Sequence, residues 1–236
     1  MRRSVVVVIA CIAPTLSVLA CASSPSTGAT SNVLLASDQG WRSLFDGASL
    51  AGWRRFRSPA APVGWRVVDG WLVREGRGGD IMTSETFGNF ELELEWKVAP
   101  GGNSGIFYRV STDANATYET GPEMQVLDDE RHADGRSPLT SAGSLYGLYP
   151  APTGVVKPAG EWNAVRLVAN GNHVEHWLNG VKIVDAEVGS ADWNQRVAKS
   201  KFRQWSGFAK SPRGHIALQD HGDWVAYRKI RIRELR

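Results

Sequence analysis

The sequence predicts an all-β fold, a β-sandwich or jelly roll in a single domain, and three observations carry that prediction. Residues Phe90 to Val98 place apolar side chains at every second position and charges between them, a period that a helix does not use. Asn179-Gly180 joins two further runs of strand type, and both residues accept the positive φ that a two-residue hairpin turn requires. Similar short runs recur through 38–236 between Gly-rich turns, without a repeat of roughly 20–50 residues that would signal a propeller or solenoid.

Along the chain, Met1-Arg2-Arg3 and the apolar run Val5 to Ile12 read as an export signal over residues 1–20, and Pro14 keeps that run too short to span a bilayer. Val18-Leu19-Ala20-Cys21 resembles a bacterial lipobox, which implies that Cys21 is acylated and becomes the new N-terminus. Plain secretion after an Ala-x-Ala-like site is the alternative. Residues 21–37 have the Ser/Thr/Ala-rich composition of a tether. The expected location is the bacterial envelope, with a lipid anchor as the one membrane contact. Both cysteines, Cys11 and Cys21, precede the domain, so a packed core rather than a disulfide must stabilise it.

Strands are expected at 64–69, 71–74, 90–98, 104–110, 123–127, 161–169, 173–178, 181–184, 214–219 and 224–235, with helical character only in 190–205. Parity sorts their faces. Met124 and Val126, Ile216 and Leu218, and Ile106, Tyr108 and Val110 read as core. That turns Glu123, Gln125, Gln219 and Arg109 outward, with His221 on the face of Gln219 if the strand runs on. Ten Trp residues stand where ordinary usage gives about three. Trp65, Trp71 and Trp96 fit core strand positions, while Trp53, Trp205 and Trp224 read as more open.

The formal charge of +3 includes Arg2 and Arg3 of the leader, whose removal leaves 25 basic against 24 acidic residues. That balance excludes a basic footprint for nucleic acid. No phosphate loop, G-x-S-x-G or H-E-x-x-H stands in the sequence.

Six ordered segments resemble the 3-keto-disaccharide hydrolase domain family, whose fold is a concanavalin-A-like jelly roll. They are Ser43 to Gly47 with Gly52-Trp53, Gly102 to Arg109, Glu123 to Asp128, Lys157 to Asn163, His176 to Gly180, and Gly214 to Gly222 continuing to Tyr227–Ile232. Lys229 departs from the pattern, which has Asn there. The resemblance implies a sugar substrate: a glycoside already oxidised at carbon 3. A carbonyl there acidifies the proton on carbon 2, so a base can form an enolate and the anomeric group can leave by elimination. Water then adds back for net hydrolysis. Such a site needs a base near neutral pH, donors or a cation facing the enolate oxygen, and assistance for the leaving oxygen.

Glu123 and His221 are the candidate acid/base pair. Asn103, Arg109, Gln125, Tyr146, Lys157 and Gln219 are candidates for holding the substrate, Arg109 through its planar fork of donors. Each has a plainer alternative in turn, packing or ion-pair chemistry. Asp128 and Asp220 offer hard oxygen ligands for a divalent cation such as Ca²⁺, Mg²⁺ or Mn²⁺, or else simple turn chemistry. His176 shares parity with Val174 and Leu178 and reads as a core histidine. The row Glu91, Glu93, Glu95 suggests a retaining glycosidase, because alternate strand residues approach the spacing of about 5–5.5 Å that two catalytic carboxyl groups need. Lys97 continues that row, however, and a solvated sheet face explains it better. A non-catalytic sugar-binding module on the same fold is the other alternative.

Overall fold

The computed structural model describes residues 40–236; the leader, the tether and Cys21 lie outside the described residues. The strands are β1 (Arg42–Ser43), β2 (Trp53–Arg55), β3 (Trp65–Val68), β4 (Trp71–Arg74), β5 (Ile81–Thr83), β6 (Phe90–Val98) and β7 (Asn103–Val110). They continue as β8 (Glu123–Leu127), β9 (Asn163–Asn170), β10 (His173–Leu178), β11 (Val181–Glu187), β12 (His215–Leu218) and β13 (Val225–Glu234). One α-helix, α1 (Ala191–Lys199), precedes a 3₁₀ turn at Lys201–Gln204. Ser190 caps α1 by accepting from the Trp193 amide, and buried Trp193 ties it to the core.

Two antiparallel sheets face each other. One runs β11-β10-β9-β6-β13-β4-β3, with β1 beside β13, and the other runs β2-β5-β12-β7-β8. Residues 143–146 lengthen the second sheet beyond β8: Met124 bridges Leu145, Tyr146 donates its amide to the Glu123 carbonyl, and Gln125 donates to that of Ser144. The core between the sheets takes Phe90, Leu92, Leu94, Trp96 and Val98 from β6, as the alternation requires. Asn179 (φ 50°) and Gly180 (φ 82°) make the expected hairpin turn between β10 and β11.

The strands that the sequence did not announce, β1, β2 and β5, are two or three residues long, too short to show a period. Trp53 is buried at 5% exposure although it read as open. Trp71, expected in the core, is half-buried on the outer face of the larger sheet, under the Lys97 ammonium.

A backbone bulge corrects two further readings. Arg109 adopts φ 52°, and the pairing of β7 with β12 slips there, so alternation breaks. Val110 consequently joins Met82, Phe107 and Ala217 in a small apolar cluster instead of the main core. Arg109 is 7% exposed, and its guanidinium donates to the carbonyls of Gly88 and Gly171 and to Asn89. It braces loops at the end of the sandwich and is not free to hold a substrate. A second bulge, in β13, puts Lys229 at φ 53°. The departure from the family pattern therefore falls where left-handed backbone favours Asn, a conformational reason rather than a chemical one.

Candidate active site

Two rows of residues cross the outer face of the smaller sheet. In the first, Glu123 stands opposite Phe107, Phe107 opposite Ala217, and Ala217 opposite Met82. The last three are fully buried, and Phe56 packs on them. In the second, Gln125 stands opposite Gly105, and from the other side Gln219 donates its amide to the Gly105 carbonyl at 3.0 Å. The missing side chain of Gly105 leaves a gap between the two glutamines, and the Glu123 carboxylate fills it. A Cβ at Gly105 would lie 2.9 Å from the Glu123 Cδ.

Glu123 is 5% exposed, and none of the described residues donates a hydrogen bond to its carboxylate. Burial pushes its pKa up to about 8; the Lys201 charge opposes this, while those of Asp80 and Asp134 reinforce it. A carboxyl group that titrates near neutrality without an ion-pair partner is suited to proton transfer.

Polar atoms without partners surround it. Among the described residues, five buried side-chain N or O atoms lack a hydrogen bond: Asn103 Oδ1, Gln125 Oε1, Ser144 Oγ, Gln219 Oε1 and Trp96 Nε1. The first four lie on this face. Asn103 alternates with core-facing Ser104 along β7, and Ser144 with core-facing Leu145. Buried polar groups are normally paired, so four orphans on the face that carries this carboxylate mark a surface built to receive hydroxyl groups.

The rim carries charge. Tyr146, beside Glu123 through its backbone, donates its hydroxyl to Asp134 Oδ2 at 3.4 Å, and burial first, then the acidic neighbours, push its pKa up to about 12. The Lys201 ammonium lies 4.4 Å from the centre of the Tyr146 ring. Asn103 Nδ2 meets His132 Nε2 at 3.4 Å, and the rings of His132 and His221 are 6.0 Å apart, edge to face. His221 is exposed, 3.7 Å from Asp223 through Nδ1. It makes no hydrogen bond to Glu123; Asp80 lies close enough to interact with both. Burial raises the Asp80 carboxyl even though Thr117 and the Asp220 amide donate to it.

The remaining candidates serve elsewhere. Lys157 donates its ammonium to the Trp162 carbonyl and its amide to Asn163, holding the loop before β9 of the larger sheet. Asp128 accepts from the amides of Gly101 and Glu130. Asp220 pairs with Arg74 at 2.5 Å and accepts from the amides of Gly78 and Gly79. Burial alone would raise the Asp220 carboxyl, but those amides and the Arg74 charge outweigh it and hold it below the usual range. Both aspartates are spent on internal donors, so this pair does not fit a cation. His176 is fully buried between Tyr108 and the Gly143 carbonyl, and burial pulls its pKa down to about 4.

Among the described residues, the glutamate row of the larger sheet is paired throughout with cations. Glu91 pairs with Arg166 and Arg233, Glu93 with Arg231, and Glu95 with Arg228 and Lys229. Burial would raise Glu91 and Glu95, but their cations outweigh it and hold both carboxyls low. A retaining pair requires one raised carboxylic acid, and Glu91 and Glu95 are held low instead. A cleft of about 700 Å³ opens over the same ladder between Trp41 and Trp177. Its size is not matched by a free titrating group.

Asp80, His132, Asp134, Ser144 and Lys201 were missed in the sequence. They occupy loops and the turn after α1, where parity does not apply. The one available signal was Asp80 before a short apolar run, and that is too common to use.

The two-sheet arrangement is a concanavalin-A-like jelly roll, and comparison with known proteins agrees. Residues 40–233 match the family described as the 3-keto-alpha-glucoside-1,2-lyase-like domain, and the chain belongs to that family. It is 36% identical over 185 residues to a 3-keto-disaccharide hydrolase of Bacteroides thetaiotaomicron, an alignment covering 69% of this chain and 64% of that protein. The chain thus spans less than two-thirds of that relative's length. A crystal structure of a proposed glycosyl hydrolase from Parabacteroides distasonis is 33% identical, with a TM-score of 0.78 over 84% of this chain and 94% of that one. A second from the same organism is 27% identical, with a TM-score of 0.63 over 83% and 99%.

Proposed function

We propose that the protein cleaves glycosides carrying a ketone at carbon 3, with Glu123 as the base that removes the proton from carbon 2. The observation that carries this reading is the buried Glu123 carboxylate, unpaired and raised to about 8, amid four orphaned polar atoms. A raised carboxylate is the stronger base, which an acidified carbon–hydrogen bond requires. The C2–H electrons form the enolate, whose collapse expels the anomeric oxygen and leaves a C1–C2 double bond. Addition of water places hydroxyl on carbon 1 and returns a proton to carbon 2.

The Lys201 charge acts on this carboxylate and supplies positive potential for the enolate oxygen. Asn103, Gln125, Ser144 and Gln219 hold the sugar hydroxyls. His221, carried on the rim with His132, assists the leaving oxygen. The family description and the name of the Bacteroides relative support this substrate class. Against a purely binding module stands the unpaired titrating group: recognition of neutral hydroxyls does not require a raised carboxyl.

Purified protein is incubated with a glucoside and its 3-keto form, with and without chelator. Cleavage of the 3-keto form alone is expected. Glu123→Gln keeps the shape of the side chain and should lower kcat by roughly 10²–10⁴-fold while changing substrate affinity much less. Equal cleavage of the unoxidised glucoside, or near-normal turnover by the variant, overturns the reading.

A further inference from the structure

The mechanism above leaves an aromatic wall unused. Tyr118, in the 3₁₀ turn Thr117–Glu119, is one of four large hydrophobic side chains exposed among the described residues, at 37%. Its ring meets that of half-buried Trp205 edge to face, with centroids 5.2 Å apart. Lys201 connects this pair to the candidate site: its ammonium is 5.7 Å from the Tyr118 ring centre and 4.4 Å from that of Tyr146, and its charge acts on Glu123. Lys201 thus links the aromatic pair to Tyr146, whose amide bonds to the Glu123 carbonyl.

Its position is fixed from behind. Phe202 and Phe208 stack at 4.2 Å and are 2% and 4% exposed, Trp193 stacks on Phe208, and Trp205 packs against Phe202. Ala209 donates its amide to the Thr120 carbonyl, which ties the segment after α1 to the turn that carries Tyr118. The packing needs none of the open Tyr118 surface. On the other side, Thr117 donates to Asp80 at 2.5 Å, so the turn is registered against the acidic rim as well. A rigid, exposed aromatic surface beside a proton-transfer site offers stacking area at little cost in conformational entropy.

We infer that Tyr118 and Trp205 form the subsite for the group that leaves the anomeric carbon, and that this group is a ring, either a second sugar or a flat aglycon. The inference rests on the proposed reaction. The polar atoms around Gly105 suit the oxidised sugar with its several hydroxyls; the aromatic pair suits a ring that presents a C–H or π face. Lys201, between them, lies where the anomeric bond would cross from one to the other.

The test uses the full chain and three substrates: methyl 3-keto-glucoside, phenyl 3-keto-glucoside and a 3-keto-glucosyl-glucose disaccharide. Tyr118→Ala should lower kcat/KM at least about tenfold on a ring-bearing substrate, mainly through KM, and change the methyl substrate by less than about twofold. A fall confined to the disaccharide assigns a sugar ring, and a fall confined to the phenyl compound assigns a flat aglycon. Trp205→Phe preserves the packing on Phe202 and should give the same split in smaller measure, which guards against a folding defect in either variant. An equal change on all three substrates, or none on any, overturns the subsite. Wild-type protein that turns over none of them fails the underlying reaction, and the subsite with it.

Discussion

Gly105 and Glu123 occupy one space: a side chain on the glycine would lie 2.9 Å from the Cδ of the glutamate, and closer to its Oε1. The glycine has no positive φ to explain it. Its function is room. Gly105→Ala should therefore fold and yet displace the carboxylate, lowering kcat at least about 10²-fold, near the lower range for loss of a general base. Kinetics beside a thermal melt checks this, and full activity in a well-folded variant would show that the carboxylate works from elsewhere.

The raised carboxyl sets the pH profile. A general base works only when ionised, so kcat/KM should rise with pH and level off above about 8. The Lys201 charge lowers this carboxyl and the Asp134 charge raises it. Lys201→Met should thus move the midpoint to higher pH, and Asp134→Asn to lower pH. Opposite movements in the pH–rate profiles separate an electrostatic effect from general damage.

Stability should respond in the reverse sense to activity. With a folded pKa of about 8 against an ordinary 4.5, Glu123 binds a proton in the folded state after the unfolded chain has released it. Its contribution therefore becomes unfavourable as pH rises from about 4.5 to 8. Glu123→Gln removes that dependence, so its Tm should exceed that of the parent by more at pH 8 than at pH 5. For a domain of this size each kcal/mol corresponds to roughly 2–4 °C. A Tm difference that does not grow with pH contradicts the raised carboxyl.

Asp220 and Arg74 form a buried ion pair, with side chains 7% and 8% exposed. Removing one partner strands the other, at a cost of about 3–5 kcal/mol. Asp220→Asn should accordingly unfold at clearly lower denaturant concentration, to the same extent with and without chelator. A chelator-dependent loss would instead restore a cation role to this aspartate.

Acylation at Cys21 is expected from the lipobox-like Val18-Leu19-Ala20-Cys21, and several acyl chains together give stable anchoring. Cys21→Ser should leave the precursor unprocessed or release the protein to the soluble fraction. Fractionation and immunoblotting decide it; normal processing with unchanged membrane association would count against the anchor.

The parts of the site on regular strands were legible from parity. Glu123 and Gln125 alternate with core-facing Met124 and Val126, and Gln219 follows Leu218 in the same way. Arg109 and Val110 were misplaced because a single left-handed residue reverses alternation, and Arg is not a residue that announces such a bulge. Asp128 and Asp220 illustrate a different ambiguity: an aspartate that caps backbone amides and one that binds a cation have the same letter and often the same neighbours. Asp80 and Lys201 lie 43 residues before and 78 after Glu123 in the sequence, and only the closed sandwich brings their charges to it.

Strand β13 lies between β6 and β4 and also receives β1, so the last of the described strands is central to the larger sheet. Every other described strand is synthesised before it. Until those residues emerge, β6 and β4 have no common neighbour, and the sheet remains two separate halves. Closure of the larger sheet thereby waits for β13, as long-range pairing must wait for both partners.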